Sequence, residues 1–341
     1  SSKMEVKYKI SNLPFKHPFT ISKGTKTHQK AFLVELDFMG IKGYGEAPEI
    51  SYYNITAEKM AEDLQSKKFF FDKAAFNTPE RFWHYLYHIY HQNSFLMCAL
   101  DMAGWDLYGK LMRKPLYKIW NLSTENNPVT DITIGIDTID KMVAKLKETP
   151  WPVYKIKLGT DHDVEIMQEL RKHTDAPFRI DANAAWKADE ALEKINVFKD
   201  LNVEFIEQPL AKDDWEGMKM LYQESPLPLF ADESCVKEED VMRCRGHFHG
   251  INIKLTKCGG ITPALRMIKQ ARHLNMKVMM GSMNEGSIGT GAIAQMLPLI
   301  DYVDMDGPLL LSEDNGAGVT FDFGKVIYTD EPGLGVKVEA F

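Results

Sequence analysis

The chain has 341 residues, with 41 Lys+Arg against 48 Asp+Glu and a formal net charge of −7 at pH 7. Its 44% hydrophobic content fills a core and excludes a disordered chain, and the length fits two units or one barrel plus an accessory layer. The acidic balance argues against a nucleic-acid binder, which needs a basic face to meet phosphate, and no run of about 18 apolar residues predicts a membrane span. Cys98, Cys235, Cys244 and Cys258 lack metal-ligand spacing and read as reduced thiols of a cytoplasmic protein. The N-terminal residues show no apolar signal core.

In chain order, residues 31–39 alternate apolar and polar side chains in their second half, and the glycines of 40–48 supply a turn before a second short strand. Together they predict an antiparallel hairpin. Thr78-Pro79 is an N-cap with proline at the first helical position, leading into the aromatic run 82–90. A further helix over 95–112 puts Leu100, Ala103, Leu107 and Leu111 on one stripe. His84, His88 and His91 share a helix face at a spacing that can bind metal, although packing among aromatic neighbours, partly buried, is the preferred reading.

From about residue 130 short β-rich segments alternate with helical stretches. The segments are 132–136, 153–157, 178–181, 204–207, 229–232, 251–254, 278–281 and 302–306, and the helical stretches include 163–173 and 189–201. Eight strands separated by helices predict a closed parallel barrel with a helical outer ring. A doubly wound open sheet is the runner-up architecture, but no GxGxxG follows the first strand. The glycine-rich stretch 286–291 is read as a tight strand-to-helix turn in preference to a phosphate site.

The charges on these strands carry the functional signal. Lys157, Asp181, Glu207, Asp232 and Lys254 fall at or near the C-terminal ends of successive strands, at intervals of 24, 26, 25 and 22 residues, one βα repeat each time. That end is the active-site face of such a barrel. Asp181, Glu207 and Asp232 make an all-oxygen donor set suited to Mg²⁺, with Mn²⁺ as a substitute. Asn183, Glu233 and Ser234 are expected to orient these ligands. Lys157 and Lys254 flank the carboxylates from opposite sides of a closed ring, placed to remove a proton from one face of a carbon and return it to the other. Lys155, on the same strand face as Lys157, would help lower the lysine pKa values by its positive charge.

Lys155-Ile156-Lys157, Asp181-Ala182-Asn183, Glu207-Gln208-Pro209, the run from Ala231 to Ser234, and Asn252-Ile253-Lys254 followed by Gly259-Gly260 resemble, in order and spacing, the enolase superfamily and its muconate-lactonising branch. The stretches 43–48 and 99–109 look like its capping-domain signatures. In that superfamily a Lys or His base works with Mg²⁺. The resemblance implies a (β/α)7β TIM-like barrel with an N-terminal α+β capping domain, divided as a cap over 1–125, a barrel over 126–315 and a returning C-terminal segment over 316–341. Asp304 and Asp306 form a DxD on the eighth strand; in the dipeptide epimerases of this family such a pair binds the substrate's α-ammonium. The expected activity is Mg-dependent epimerisation of the C-terminal residue of an Ala-Xaa dipeptide by two-lysine proton transfer through a metal-stabilised enolate.

In members preferring Ala-Glu, an Arg in the capping loop after the first strand meets the substrate glutamate. Residues 19–26 contain no Arg here, and Lys23, Gly24 and Lys26 occupy the corresponding stretch. An uncharged Xaa is therefore expected, with Ala-Glu epimerisation as the competing specificity if Lys23 or Lys26 substitutes. Ser282 and Met283, after the seventh strand, are expected to border the substrate. The same scaffold also suits o-succinylbenzoate synthesis, N-acylamino-acid racemisation and muconate cycloisomerisation, none of which needs a cation-binding DxD. A non-catalytic binding protein is disfavoured because every base and ligand position is intact. A small-molecule dipeptide is the expected partner, with oligomeric state left open.

Overall fold

The computed structural model describes residues 4–21 and 24–341. An N-terminal antiparallel sheet contains β1 (Met4–Ile21), β2 (Gly24–Phe38) and β3 (Ile41–Pro48), in the order β1-β2-β3. The expected hairpin is the β2–β3 pair, turned through Met39 and Gly40 at φ of 57° and 83°, the left-handed pair that a tight two-residue turn requires. The strand β1 is the first strand that the resemblance implies, and its pairing with β2 runs on into the stretch expected as a loop, Phe19 with Lys26 and Ile21 with Gly24. Its signal is the alternation of Met4, Val6, Tyr8 and Ile10 with charged Glu5, Lys7 and Lys9, and only the apolar set turns inward.

The helices Ser94–Met112 and Ala57–Ser66 contact this sheet, and Pro79–Tyr90 packs on Ser94–Met112. Pro79–Tyr90 is capped as expected, with Thr78 Oγ1 accepting from Arg81 N at 3.3 Å. Ser94–Met112 is buried over nearly its whole length because it lies between the sheet and the barrel. Gly43 and Gly45 allow that close approach: a Cβ on Gly45 would stand 1.8 Å from the Ala99 carbonyl oxygen. Leu100, Ala103 and Leu107 are in the core, but Leu111 is 40% exposed, because the last turn runs past the packed surface. His84, His88 and His91 are all exposed, so they are not the partly buried packing residues expected, although the His84 ring stands 5.4 Å from that of Trp83 and the His91 ring 5.4 Å from that of Tyr87.

All eight barrel strands are present, Phe178–Asp181 with its expected bounds and the others within a residue or two of theirs. They are β4 (Ile132–Ile134), β5 (Tyr154–Lys157), β6 (Phe178–Asp181), β7 (Val203–Glu207), β8 (Leu229–Ala231), β9 (Gly250–Ile253), β10 (Lys277–Gly281) and β11 (Tyr302–Asp304). They pair in parallel and in sequence order. A bridge from Thr130 to Val303 joins the first strand's approach to the last strand, closing the ring. Strand alternation sends Ile156, Ile180 and Ile206 into the core shared with the helices, while Lys155, Lys157, Arg179, Asp181, Phe205 and Glu207 take the opposite face.

A final hairpin, β12 (Thr320–Asp322) with β13 (Lys325–Ile327), precedes a tail that returns to the N-terminal unit. There Leu334 N donates to Asp106 Oδ1 at 2.9 Å and Phe341 N to Glu35 Oε2 at 2.8 Å. The β1–β2 ribbon meets the segment leaving β11, where Ser312 N donates to Pro14 O at 2.9 Å. Among the described residues, no helix is long and apolar enough to cross a membrane.

Candidate active site

In the closed ring β5 and β9 stand four strands apart, so Lys157 and Lys254 reach the mouth from opposite walls. The carboxylates sit between them. Lys157 Nζ donates to Asp181 Oδ2 at 2.9 Å and to Asn183 Oδ1 at 3.3 Å, and Lys254 Nζ to Asp232 Oδ2 at 2.6 Å. Lys155 lies deeper, with Nζ 2.8 Å from Asp304 Oδ2, 3.6 Å from Asp181 Oδ2 and 3.9 Å from Glu207 Oε1.

Asp181, Glu207 and Asp232 are almost wholly buried. Burial works to raise the Asp181 carboxyl, but the Lys157 and Lys155 ammonium groups outweigh it and hold it below its ordinary range. Glu207, with no lysine in hydrogen-bond contact, is pushed up to about 7 by burial and by the charge of Asp181. For Lys254, burial pulls downward, yet the facing Asp232 and Glu207 carboxylates hold the ammonium above its ordinary range. As the side chains stand, direct contact with a carboxylate outweighs both burial and the positive charge of Lys155 at this lysine.

The orienting residues act in different ways. Asn183 N donates to Asp181 Oδ1 at 3.0 Å. Glu233, beside Asp232, is pushed up to about 8 by burial and that neighbour's charge. Ser234 touches no ligand carboxylate; its hydroxyl donates to Lys212 O at 2.8 Å and accepts from Gln208 Nε2 at 2.9 Å. Gln208 is the organiser, its Oε1 accepting from Asp232 N and Ser234 N. Asn252 Nδ2 donates to Glu207 Oε2 at 3.0 Å, and Lys257 Nζ lies 3.6 Å from Asp232 Oδ1. Gln208 and Asn252 stand inside the sequence motifs, but the motifs alone do not reveal these tasks.

Asp304 and Asp306 are both buried at the end of β11. Asp304 faces Lys155, and this ammonium overcomes the effect of burial to bring its carboxyl down to about 2. Asp306 Oδ2 accepts from Thr133 N at 3.3 Å, and burial with the charge of Asp304 pushes it up to about 7. Ser282 N donates to Asp304 O at 2.9 Å, while Met283 N donates to Glu285 Oε2 at 2.7 Å. The glycine-rich turn is held by the N-terminal unit: Glu46 accepts from Gly286 N and Gly289 N at 2.8 and 2.9 Å. Lys26 is engaged locally with Gln29 Oε1 at 2.8 Å and is not brought into hydrogen bonding with the lysine–carboxylate cluster. Gly24 pairs with Ile21 at the ribbon end, and Lys23 lies outside the described residues.

The donor set suits a hard divalent cation, all oxygen and all carboxylate. Glu207 Oε1 and Asp232 Oδ1 are buried without a hydrogen-bond donor, and such atoms call for a positive partner. As arranged, Asp181 and Asp232 each carry a lysine, and among the described residues no three His, Cys, Asp or Glu side chains are gathered closely enough to hold an ion.

Comparison with known proteins follows the same outline. Residues 138–340 match the model described as Enolase C-terminal domain-like, and residues 3–120 the Mandelate racemase / muconate lactonizing enzyme, N-terminal domain. An L-Ala-D/L-amino acid epimerase of Flavobacterium johnsoniae is 50% identical over 327 residues, covering 96% of this chain and 97% of that protein. One of a Maribacter species is 51% identical over 336 residues, covering 98% and 99%. The solved dipeptide epimerase of Cytophaga hutchinsonii, complexed with Mg and the dipeptide D-Ala-L-Val, superposes with a TM-score of 0.90 at 26% identity, covering 99% of this chain and 96% of that one. The chain belongs to the mandelate racemase / muconate lactonizing enzyme family of the enolase superfamily.

Proposed function

We propose that this protein is a dipeptide epimerase that inverts the α-carbon of the C-terminal residue of Ala-Xaa dipeptides, Xaa being uncharged. The observation that carries the reading is the placement of Lys157 and Lys254 on opposite barrel walls, with buried carboxylates between them and the Asp304–Asp306 pair beside them. The names of the two half-identical relatives and the dipeptide in the solved neighbour support it.

In this reading Asp181, Glu207 and Asp232 hold Mg²⁺, or Mn²⁺ in its place. When bound, the ion neutralises the carboxylate cluster and stabilises the negative charge that develops on the substrate carboxylate as the α-proton leaves. Asp304 and Asp306 receive the free α-ammonium and fix which residue's α-carbon lies between the lysines. One lysine, neutral, takes the α-proton on its side. The other, protonated, returns a proton on the opposite side, so the configuration inverts and the two lysines exchange charge states. Lys155, held by Asp304, stays an ammonium and keeps positive charge beside Lys157. The absence of Arg from residues 19–26 and the local engagement of Lys26 favour an uncharged Xaa.

The test is a panel of Ala-Xaa dipeptides and N-acyl amino acids, followed by chiral analysis. Epimerisation of the dipeptides with little turnover of the acylated compounds is expected. Turnover confined to the acylated compounds would overturn the reading.

A further inference from the structure

Directly after Lys157 the chain closes on a buried carboxylate that the mechanism above does not use. Asp163, the first residue of the helix Asp163–Arg171, is almost wholly buried. Its Oδ1 accepts from Gly159 N at 3.0 Å, Thr160 N at 2.8 Å and Thr160 Oγ1 at 2.9 Å. Its Oδ2 accepts from Trp186 Nε1 at 2.8 Å and from Lys194 Nζ at 2.9 Å. Burial works to raise this carboxyl, but Lys194 and the amides hold it below its ordinary range. Five donors on one carboxylate, one of them an ammonium, leave it no freedom to turn.

The carboxylate joins two turns at the mouth. One follows β5 and contains Gly159 and Thr160; the other follows β6 and leads from Asp181 to Trp186. Lys157 Nζ reaches into the second turn, at Asp181 Oδ2 and Asn183 Oδ1. That turn needs holding, because Asn183 and Ala184 are left-handed, at φ of 46° and 65°, a region that side chains rarely occupy. Trp186 fixes its end, with its N donating to Pro209 O at 3.0 Å and its indole to Asp163. The two turns also pack closely: a Cβ on Gly159 would stand 2.9 Å from Ala185 Cβ. Lys254, on the opposite wall, contacts Asp232 and shares none of these partners.

We infer that Asp163 is a positioning residue that sets Lys157 against one face of the substrate's α-carbon, by tying the backbone after this lysine to the turn that its ammonium contacts. This rests on the reading that Lys157 and Lys254 each serve one face. Asp163 touches no reacting atom. Its loss misplaces one base and leaves the other in position, so its signature is asymmetry between epimers, which a general loosening of the fold does not produce.

The test follows exchange of the α-proton with solvent for each purified Ala-Xaa epimer, by NMR in D₂O on Mg²⁺-saturated enzyme. Lys157→Ala identifies the epimer that Lys157 serves. Asp163→Ala is expected to slow exchange of that epimer about tenfold, within the roughly 10²-fold that a 1 Å misplacement costs, and to leave the other within about twofold. Asp163→Asn keeps an oxygen for Gly159 N and Thr160 N and should recover most of the lost rate. If Asp163→Ala does not fold, Trp186→Phe, which removes the indole donor and keeps an aromatic ring, is expected to slow the same epimer selectively, by about threefold. Equal slowing of both epimers, or of neither, would overturn the inference. The underlying reading fails separately: if Lys157→Ala itself slows both epimers alike, the assignment of one lysine to each face is wrong, whereas a selective Lys157→Ala beside an unselective Asp163→Ala defeats only the positioning role.

Discussion

Lys254 Nζ lies 2.6 Å from Asp232 Oδ2, joining neighbouring barrel strands at the mouth, while Lys157 makes the matching contact with Asp181 on the far wall. If each lysine serves one face of the α-carbon, Lys157→Ala and Lys254→Ala should each lower epimerisation about 10²–10⁴-fold, the usual weight of a positioned acid or base. Each variant should also exchange the α-proton of only one epimer with solvent. NMR in D₂O on each purified epimer checks this, and exchange of both epimers by either variant would contradict it.

Metal loading should appear as stability. A ligand that binds only the folded state adds about 2.7 kcal/mol when present at 100 times its Kd, so Mg²⁺ should raise the melting temperature of EDTA-treated protein. Asp232→Asn or Glu207→Gln should abolish most of that rise. Calorimetry with and without Mg²⁺ reads it independently of turnover.

Glu285 and Glu46 face each other inside the contact between the N-terminal unit and the barrel. Burial, together with the Glu46 charge, pushes Glu285 up to about 7 from its ordinary 4.5. The folded state therefore binds a proton that the unfolded state releases, and this group's contribution to stability is lost as pH rises from about 4.5 through 7. Glu285→Gln keeps an acceptor for Met283 N and removes the charge. The variant is expected to match the parent near pH 5 and to exceed it at pH 8, by urea melts on metal-free protein.

Gly45→Ala should be among the most damaging small changes in the chain. Its methyl would stand 1.8 Å from Ala99 O, and neither the helix Ser94–Met112 nor the sheet can move without disturbing the other. Overpacking of this kind costs about 1–3 kcal/mol or more. Thermal melts should show a drop of several degrees or loss of soluble protein, while Gly40→Ala, where nothing stands within 4 Å, is limited to the strain of its φ of 83°.

The barrel is legible in the sequence because its strands recur at one βα unit and many end in a charge, so Lys157, Asp181, Glu207, Asp232 and Lys254 identify themselves by interval. Side-chain partners are less so. Spacing places Lys254 near carboxylates but does not say that it contacts Asp232. Asp131 and Arg179 are 48 residues apart, and Asp131 precedes the first barrel strand, so no periodic pattern marks it. The strand β1 hides in a Lys-rich segment whose alternation is clear only once a partner strand is known. Leu111 and the three histidines show the complementary limit: helical periodicity gives a face but not where the packed surface ends.

The central claim is proton exchange at one defined carbon by two lysines on opposite walls. The most direct measurement incubates an L-Ala-L-Xaa dipeptide with the Mg²⁺-loaded enzyme in D₂O and locates the label by NMR and mass spectrometry. The account predicts deuterium at the α-carbon of Xaa in both epimers, with the Ala α-carbon unlabelled. Label at the Ala α-carbon, or none at either position, would contradict it.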